Sequence, residues 1–278
     1  MSGMHIVRDS ARIAFMAIVL FAAVVLSSCA EKPAEPIVSA VPEGYSLVWS
    51  DEFDSDGAPN PDKWDYSVGG NGWGNGELQV YTNTRENSFV KGGALNITAL
   101  NDKGSWTSAR LKTLYKADWT YGYIEARARI PEGVGTWPAI WMMPRGDIYG
   151  NWPRSGEIDI MEHVGFDPEV IHTTAHTLAY YHKIGTQKTM SAKVKGVTKG
   201  YHTYAVRWEP DYIEWYVDGK AFFRFENEKK TFAEWPFDHP FYLILNVAIG
   251  GSWGGTKGID PKLKKATMLV DYVRVYQK

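Results

Sequence analysis

The residues best suited to chemistry are three acids interleaved with apolar neighbours in Gly156-Glu157-Ile158-Asp159-Ile160-Met161-Glu162. Side chains of an extended strand alternate between faces, which puts Glu157, Asp159 and Met161 on one side and Ile158, Ile160 and Glu162 on the other. One extra residue, inserted as a β-bulge near Ile160 or Met161, returns Glu162 to the side of Glu157, and bulges are over-represented beside active sites. Three carboxylates then line one cleft. Crowded like charges cannot all stay ionised, so at least one pKa rises, and a protonated acid beside an anion is what general acid–base catalysis needs. The same alternation also describes a half-exposed sheet strand without function. Against that reading stand Trp137, Trp141 and Trp152, because indoles suit flat apolar partners such as the C–H faces of sugar rings.

Other candidates carry two readings each. In Trp73-Gly74-Asn75-Gly76-Glu77-Leu78-Gln79-Val80-Tyr81-Thr82, the side chains of Asn75, Glu77 and Gln79 could hydrogen-bond sugar hydroxyls or simply order a loop. Arg110 could do the same or pair with an acid. Trp137 and Trp141 are either platforms or core indoles of a buried strand. Trp253 sits within Gly250-Gly251-Ser252-Trp253-Gly254-Gly255, where glycines let the backbone approach a ligand, and it reads as an exposed platform. His176 stands alone near a strand end and reads more readily as structural than catalytic. No cluster has zinc-ligand spacing.

The elements that must hold these residues are short runs of β-branched and aromatic residues separated by Gly, Asn, Asp and Pro. Ser46–Trp49, Ala94–Ala99, Ala109–Thr113, Gly122–Ile130, Glu157–His163, Val170–Thr177, His202–Trp208, Tyr212–Val217, Lys220–Glu226, Phe241–Val247 and Thr267–Gln277 are the predicted strands. Asp218-Gly219 joins two of them in a hairpin. So many strands with almost no helical periodicity imply an all-β sandwich of two packed antiparallel sheets in one domain. A formal charge of −2 with no basic block argues against nucleic acid as a partner. The 12 Trp and 16 Tyr are too many for one core, so some should face outward toward neutral partners.

The amino-terminal region reads as an export signal. Arg8 and Arg12 precede an apolar run from Ile13 to Leu26, too short for a comfortable membrane span. It runs into Leu26-Ser27-Ser28-Cys29, which resembles the lipobox of bacterial lipoproteins, and Cys29 is the single cysteine of the chain. The expected organisation is a signal peptide over 1–28, a lipidated Cys29 and flexible Pro-containing tether over 29–43, and a catalytic domain over 44–278. The partner so implied is a membrane surface reached through the lipid anchor. Glu31 rather than Asp after Ala30 points toward the outer membrane.

The stretch Gly156 to Gly165 resembles the E-x-D-x-x-E signature of glycoside hydrolase family 16, and in particular its bacterial β-1,3-glucanases, the laminarinases. The likeness continues through Asp51-Glu52-Phe53, Trp73 to Thr82, Tyr121 to Arg127, Trp137 to Pro144, Leu245 to Gly251 and Asp271 to Tyr276, covering nearly everything from Tyr45 onward. The resemblance implies a β-jelly-roll sandwich with a concave substrate cleft, Glu157 as nucleophile, Glu162 as general acid/base and Asp159 as the helper between them. It implies that Asn75, Arg110, Trp137, Trp141, Trp152, His176 and Trp253 line glycan subsites. It implies no cofactor for catalysis and, in many relatives, a structural calcium at positions matching Glu52, Gly93 and Asp271, two of them through backbone carbonyls. The expected partner is a β-glucan, attacked by a monomer; mixed-linkage β-glucan, a galactan such as agar or porphyran, and a non-catalytic glycan-binding role are the alternatives. His172-Thr173-Thr174-Ala175-His176-Thr177 lacks a glycine that often follows the matching histidine, and Tyr180-Tyr181-His182 has no counterpart we can assign. A retaining pair of carboxyls sits roughly 5–5.5 Å apart and an inverting pair roughly 6.5–9.5 Å, so bulge geometry decides between them.

Overall fold

Alternating apolar and polar positions give each strand one face for a core, and two sheets close over it. The computed structural model describes residues 1–2 and 40–278; Cys29 and most of the segments expected as signal peptide and tether lie outside the described residues. One sheet runs in the order Lys220–Glu226, Tyr212–Val217, His202–Trp208, Gly122–Arg129, Lys265–Gln277, Leu95–Asp102, Ser105–Ser108, Val80–Tyr81, with Ser46–Asp51 and Ser88–Val90 pairing off this path. The other runs Lys188–Lys193, Val170–His176, Glu157–His163, Thr136–Pro144, Phe241–Ile249, Arg110–Lys112, Asp65–Tyr66. All pairs of the second sheet are antiparallel. The first departs from the expected pattern at one edge, where Val80–Tyr81 pairs parallel to Ser105–Ser108. That short strand arrives from a turn-rich loop, so its direction is set by the loop and not by a hairpin.

The core lies between the sheets. From the second sheet Ile140, Met142, Ile158, Ile160, Ile171, Leu243, Leu245 and Val247 point inward, against Ile124, Ala126, Tyr204, Val206, Trp215, Met268 and Val273 of the first. The opposite face of the second sheet is left to Trp137, Trp141, Glu157, Glu162, His172 and Asn246. At the far end of the Glu157–His163 strand, Gly165 crosses so close to the backbone that a Cβ there would sit 1.7 Å from the Gly133 carbonyl oxygen. Only glycine lets the chain leave the sheet at that point.

Candidate active site

The expected bulge is present. Asp159 lies opposite Trp141 on one neighbouring strand and Thr174 on the other, while Glu162 lies opposite Ala139 and His172. Each neighbour therefore advances two residues while this strand advances three. Ile160 is the residue without a partner on the Thr136–Pro144 side, and consecutive Ile160 and Met161 are both buried. A plain strand cannot turn two successive side chains into one core; the bulge does so and brings Glu162 to the face of Glu157 and Asp159. Ala139 lies beside Glu162, between Trp137 and Trp141 on its own strand, so a methyl group is all that separates the two indoles along that face.

Two side chains hold the bulge. The Thr173 hydroxyl donates to the carbonyl oxygen of Asp159 at 2.6 Å and lies 3.3 Å from that of Ile160. Trp215 reaches across from the other sheet and donates its indole N–H to the same Asp159 oxygen at 2.9 Å. A bulge interrupts the ladder, and these donors satisfy the carbonyl it exposes.

Each glutamate accepts an indole hydrogen bond. Trp152 Nε1 donates to Glu157 Oε2 at 2.6 Å, and Trp137 Nε1 donates to Glu162 Oε1 at 3.0 Å. Burial pushes both carboxyls up to about 7. The opposing influences differ. Glu157 is drawn down by the Trp152 N–H, by a hydrogen bond with Asp159 and by the charge of Arg110. Glu162 is drawn down by the Trp137 N–H and pushed up by the charge of Glu157. Burial, then the charges of Glu157 and Glu162, hold Asp159 well above the usual carboxylate range, so it keeps its proton and donates it toward Glu157. The balance favours an ionised Glu157 and a protonated Glu162.

His176 faces Glu157 across the ladder, with Nε2 3.5 Å from Asp159 Oδ2. Burial and then His182 push its pKa down to about 3, so it is a neutral imidazole. Ligand atoms of Glu157, Asp159 and His176 lie within 4.8 Å of one another. The wall beyond Trp152 is built by Tyr181 and His182, with ring centroids 5.7 and 5.3 Å away, and by Lys183, 5.3 Å over the indole. Of the unassigned Tyr180-Tyr181-His182 stretch, Tyr181 and His182 thus lie beside the indole that holds Glu157, while Tyr180 turns away to meet Phe225 edge-on at 5.9 Å. At the other end Trp253 meets Trp137 edge-on at 5.5 Å and His172 at 4.8 Å. Trp253 is thus half-buried against two site residues and not the freely exposed platform the glycines suggested. Arg110 is sandwiched between Trp73 and Trp141, 4.7 Å from each ring.

Asn75 lies on a loop at the Trp253 end, where its carbonyl accepts from Ser252 N at 2.7 Å, and its side chain donates to Glu77. Glu77 and Gln79 differ from the expected sugar-binding residues: Gln79 is fully buried, and Glu77 accepts hydrogen bonds from protein donors. Trp73, Tyr81, Asn246, Thr173 and Trp215 were not singled out from the sequence. A polar Asn246 in the middle of the apolar run Phe241–Ile249 is the one local signal that could have marked them.

The calcium positions can be tested against their side chains. The Glu52 carboxylate takes two N–H donors from Arg274 at 3.0 and 2.8 Å, which lower its pKa. The Asp271 carboxylate sits 2.6 Å from Arg127 Nη1. Carboxylates already matched by guanidinium groups do not fit a divalent cation, and what Glu52, Gly93 and Asp271 have left to offer are backbone carbonyls.

The chain is 54% identical over 244 residues to the β-glucanase of Rhodothermus marinus, covering 84% of this chain and 85% of that one. It superposes on the crystal structure of the laminarinase from Rhodothermus marinus with a TM-score of 0.82 at 53% identity, over 84% of this chain and 97% of that one. It is also 38% identical to the glucan endo-1,3-β-glucosidase of Cryptopygus antarcticus, over 83% of this chain and 91% of the other. The fold is thus the jelly roll of these enzymes. The model of glycosyl hydrolases family 16 matches residues 74–274, a span that contains the bulged strand and both indole-bound glutamates, and the chain belongs to that family.

Proposed function

We propose that this enzyme cleaves internal β-1,3-glucosidic linkages of laminarin-like β-glucans with retention of anomeric configuration. The observation that carries the reading is the bulge, which sets Glu157 and Glu162 on one face, each fixed by its own indole. In the first step the Glu157 carboxylate attacks the anomeric carbon while Glu162 gives its proton to the departing glycosidic oxygen. A glycosyl ester on Glu157 results. Formation of the ester removes the negative charge of Glu157, which lets the Glu162 carboxylate take a proton from water as that water attacks the same carbon. The proton held on Asp159 stabilises the carboxylate of Glu157 as it leaves in this second step.

The β-1,3 preference is supported by likeness to the Rhodothermus and Cryptopygus enzymes. The test is to incubate the purified protein separately with laminarin, mixed-linkage β-glucan and agarose and follow anomeric protons by NMR. Early release of β-configured oligosaccharides from laminarin supports the proposal. Activity confined to another polymer moves the substrate, α-configured first products overturn retention, and silence on all three favours a binding role.

We also propose that the enzyme is exported and held at a membrane, in keeping with an outer-membrane location, by a lipid on Cys29, on the strength of the Leu26-Ser27-Ser28-Cys29 motif. Cys29→Ser should move the protein from the membrane to the soluble fraction; retention of the variant in membranes would refute the anchor.

A further inference from the structure

Four half-buried or buried polar side chains form a chain in which every bond points the same way. Trp141 Nε1 donates to Asn246 Oδ1 at 2.7 Å, Asn246 Nδ2 donates to the Tyr81 hydroxyl at 3.0 Å, and that hydroxyl donates to Glu77 Oε2 at 3.2 Å. Gln79 Nε2 and Asn75 Nδ2 add donors to the same carboxylate at 2.7 and 3.2 Å. The direction is imposed by chemistry. An indole can only donate, and a buried Tyr81, its pKa raised by burial and then by Glu77, keeps its proton and gives it to the carboxylate.

We propose that Glu77 is a positioning residue of the hydrolase site, the acceptor on which the orientation of Trp141 and of the Trp73–Arg110–Trp141 sandwich depends. The proposal rests on the reading of Glu157 as nucleophile. Arg110 sits between Trp73 and Trp141 at 4.7 Å from both and acts on Glu157 by its charge, and its Nε is buried without a hydrogen-bond partner. Two indole faces therefore clamp the cation. Trp73 in turn meets Tyr81 edge-on at 5.3 Å, so both slices of the sandwich rest on the chain that ends at Glu77. The same loop is tied to the Trp253 loop, because Ser252 N donates to Asn75 O at 2.7 Å and Glu77 pairs with Gly250. A carboxylate has four acceptor sites and no donor, which matches three incoming hydrogens; an amide offers one oxygen and turns an N–H on at least one of them.

The experiment compares Glu77→Gln and Tyr81→Phe, singly and together, for kcat and KM on laminarin across pH, with near-UV circular dichroism as a readout of indole environment. Both single variants should lose between roughly tenfold and a hundredfold in kcat/KM, as displaced positioning groups do. Both should move the acid limb of kcat/KM to higher pH, because a displaced Arg110 no longer favours the carboxylate of Glu157. The other titratable groups facing Glu157 are Asp159 and Glu162 on its own strand, His176 opposite, Tyr242 across the sheet, and His182 and Lys183 behind Trp152. They stay the same in every variant. The double variant should cost little more than either single one, since both break one chain. An unmoved acid limb and unchanged near-UV spectrum with a lowered Tm alone, or additive losses, would overturn the proposal. Glu157→Gln, assayed in parallel, keeps the two readings apart: it abolishes turnover if Glu157 is the nucleophile, whatever Glu77 does.

Discussion

Trp152→Phe separates two roles that one indole plays. Phenylalanine keeps an aromatic face for a sugar ring but deletes the N–H that reaches Glu157 at 2.6 Å. A hydrogen bond to a charged group is worth roughly 1.5–3 kcal/mol, and about 1.4 kcal/mol corresponds to one pKa unit, so the Glu157 carboxyl should rise by roughly one to two units. It starts from about 7. Because the nucleophile must be ionised, the acid limb of kcat/KM should move upward by that amount, as the limb reports the free enzyme. Near neutral pH the rate then falls by roughly fivefold to fiftyfold, and it recovers as pH is raised past the new limb. The assay is reducing-sugar release from laminarin over a series of buffers. A loss of the same size at every pH, carried in KM, would refute the reasoning and leave Trp152 as a platform only. Trp137→Phe supplies the mirror case: Glu162 works as an acid, so raising its pKa should extend the alkaline limb.

Three further outcomes follow from the same geometry. Glu157 and Glu162 have folded pKa values raised by burial from 4.5 to about 7, so their contribution to stability is present at acid pH and lost as pH rises through that value. Glu157→Gln and Glu162→Gln should each resist urea better than the parent by on the order of 1–3 kcal/mol above about pH 7 and show no gain near about pH 4; a gain equal at both would refute the assignment. Asp159→Asn should lower kcat with KM nearly unchanged, because an amide still donates to Glu157 but cannot take up charge as the ester forms and breaks; unchanged turnover would remove the helper role. Thr173→Val should cost about 1 kcal/mol in unfolding free energy, since Trp215 still serves the Asp159 carbonyl, together with a larger loss in turnover. Thr173→Ser should restore both, and a valine variant of full activity would show that the bulge needs no side-chain support.

Much of the strand pattern and the chemistry-bearing stretch were readable because alternation is a local property: from Ala126 to Ile130 and from Val273 to Tyr276 buried and less buried positions alternate as the residues do, whereas the clean alternation expected from Val270 onward is broken by a register shift between Val270 and Tyr272 that puts Val270 and Val273 both in the core. The bulge was readable for a different reason. Glu162 stands on the wrong face unless one residue is added, so the demand for a cleft located the irregularity at Ile160 or Met161. What stayed hidden depends on partners distant in the chain. That Trp137 and Trp152 hold the glutamates by their N–H edges depends on indole orientation, which spacing leaves open. Arg110 is clasped by Trp73 and Trp141, contributed by a loop and a strand far apart in the chain. Glu77 read as a sugar ligand because nothing nearby in the sequence says that Tyr81 and Gln79 will turn toward it. The parallel edge at Val80–Tyr81 was likewise set by the path of a loop.

The reach of Trp215 into the catalytic strand has a consequence for how the enzyme fails. Its indole belongs to one sheet and its acceptor, the Asp159 carbonyl, to the other, so the bulge is fastened to the contact between the layers. A site carried on surface loops can melt while the scaffold survives; this one shares its cooperative unit with the core. Amide hydrogens along Glu157–His163 should then exchange only through global opening, and heat inactivation should coincide with separation of the two sheets.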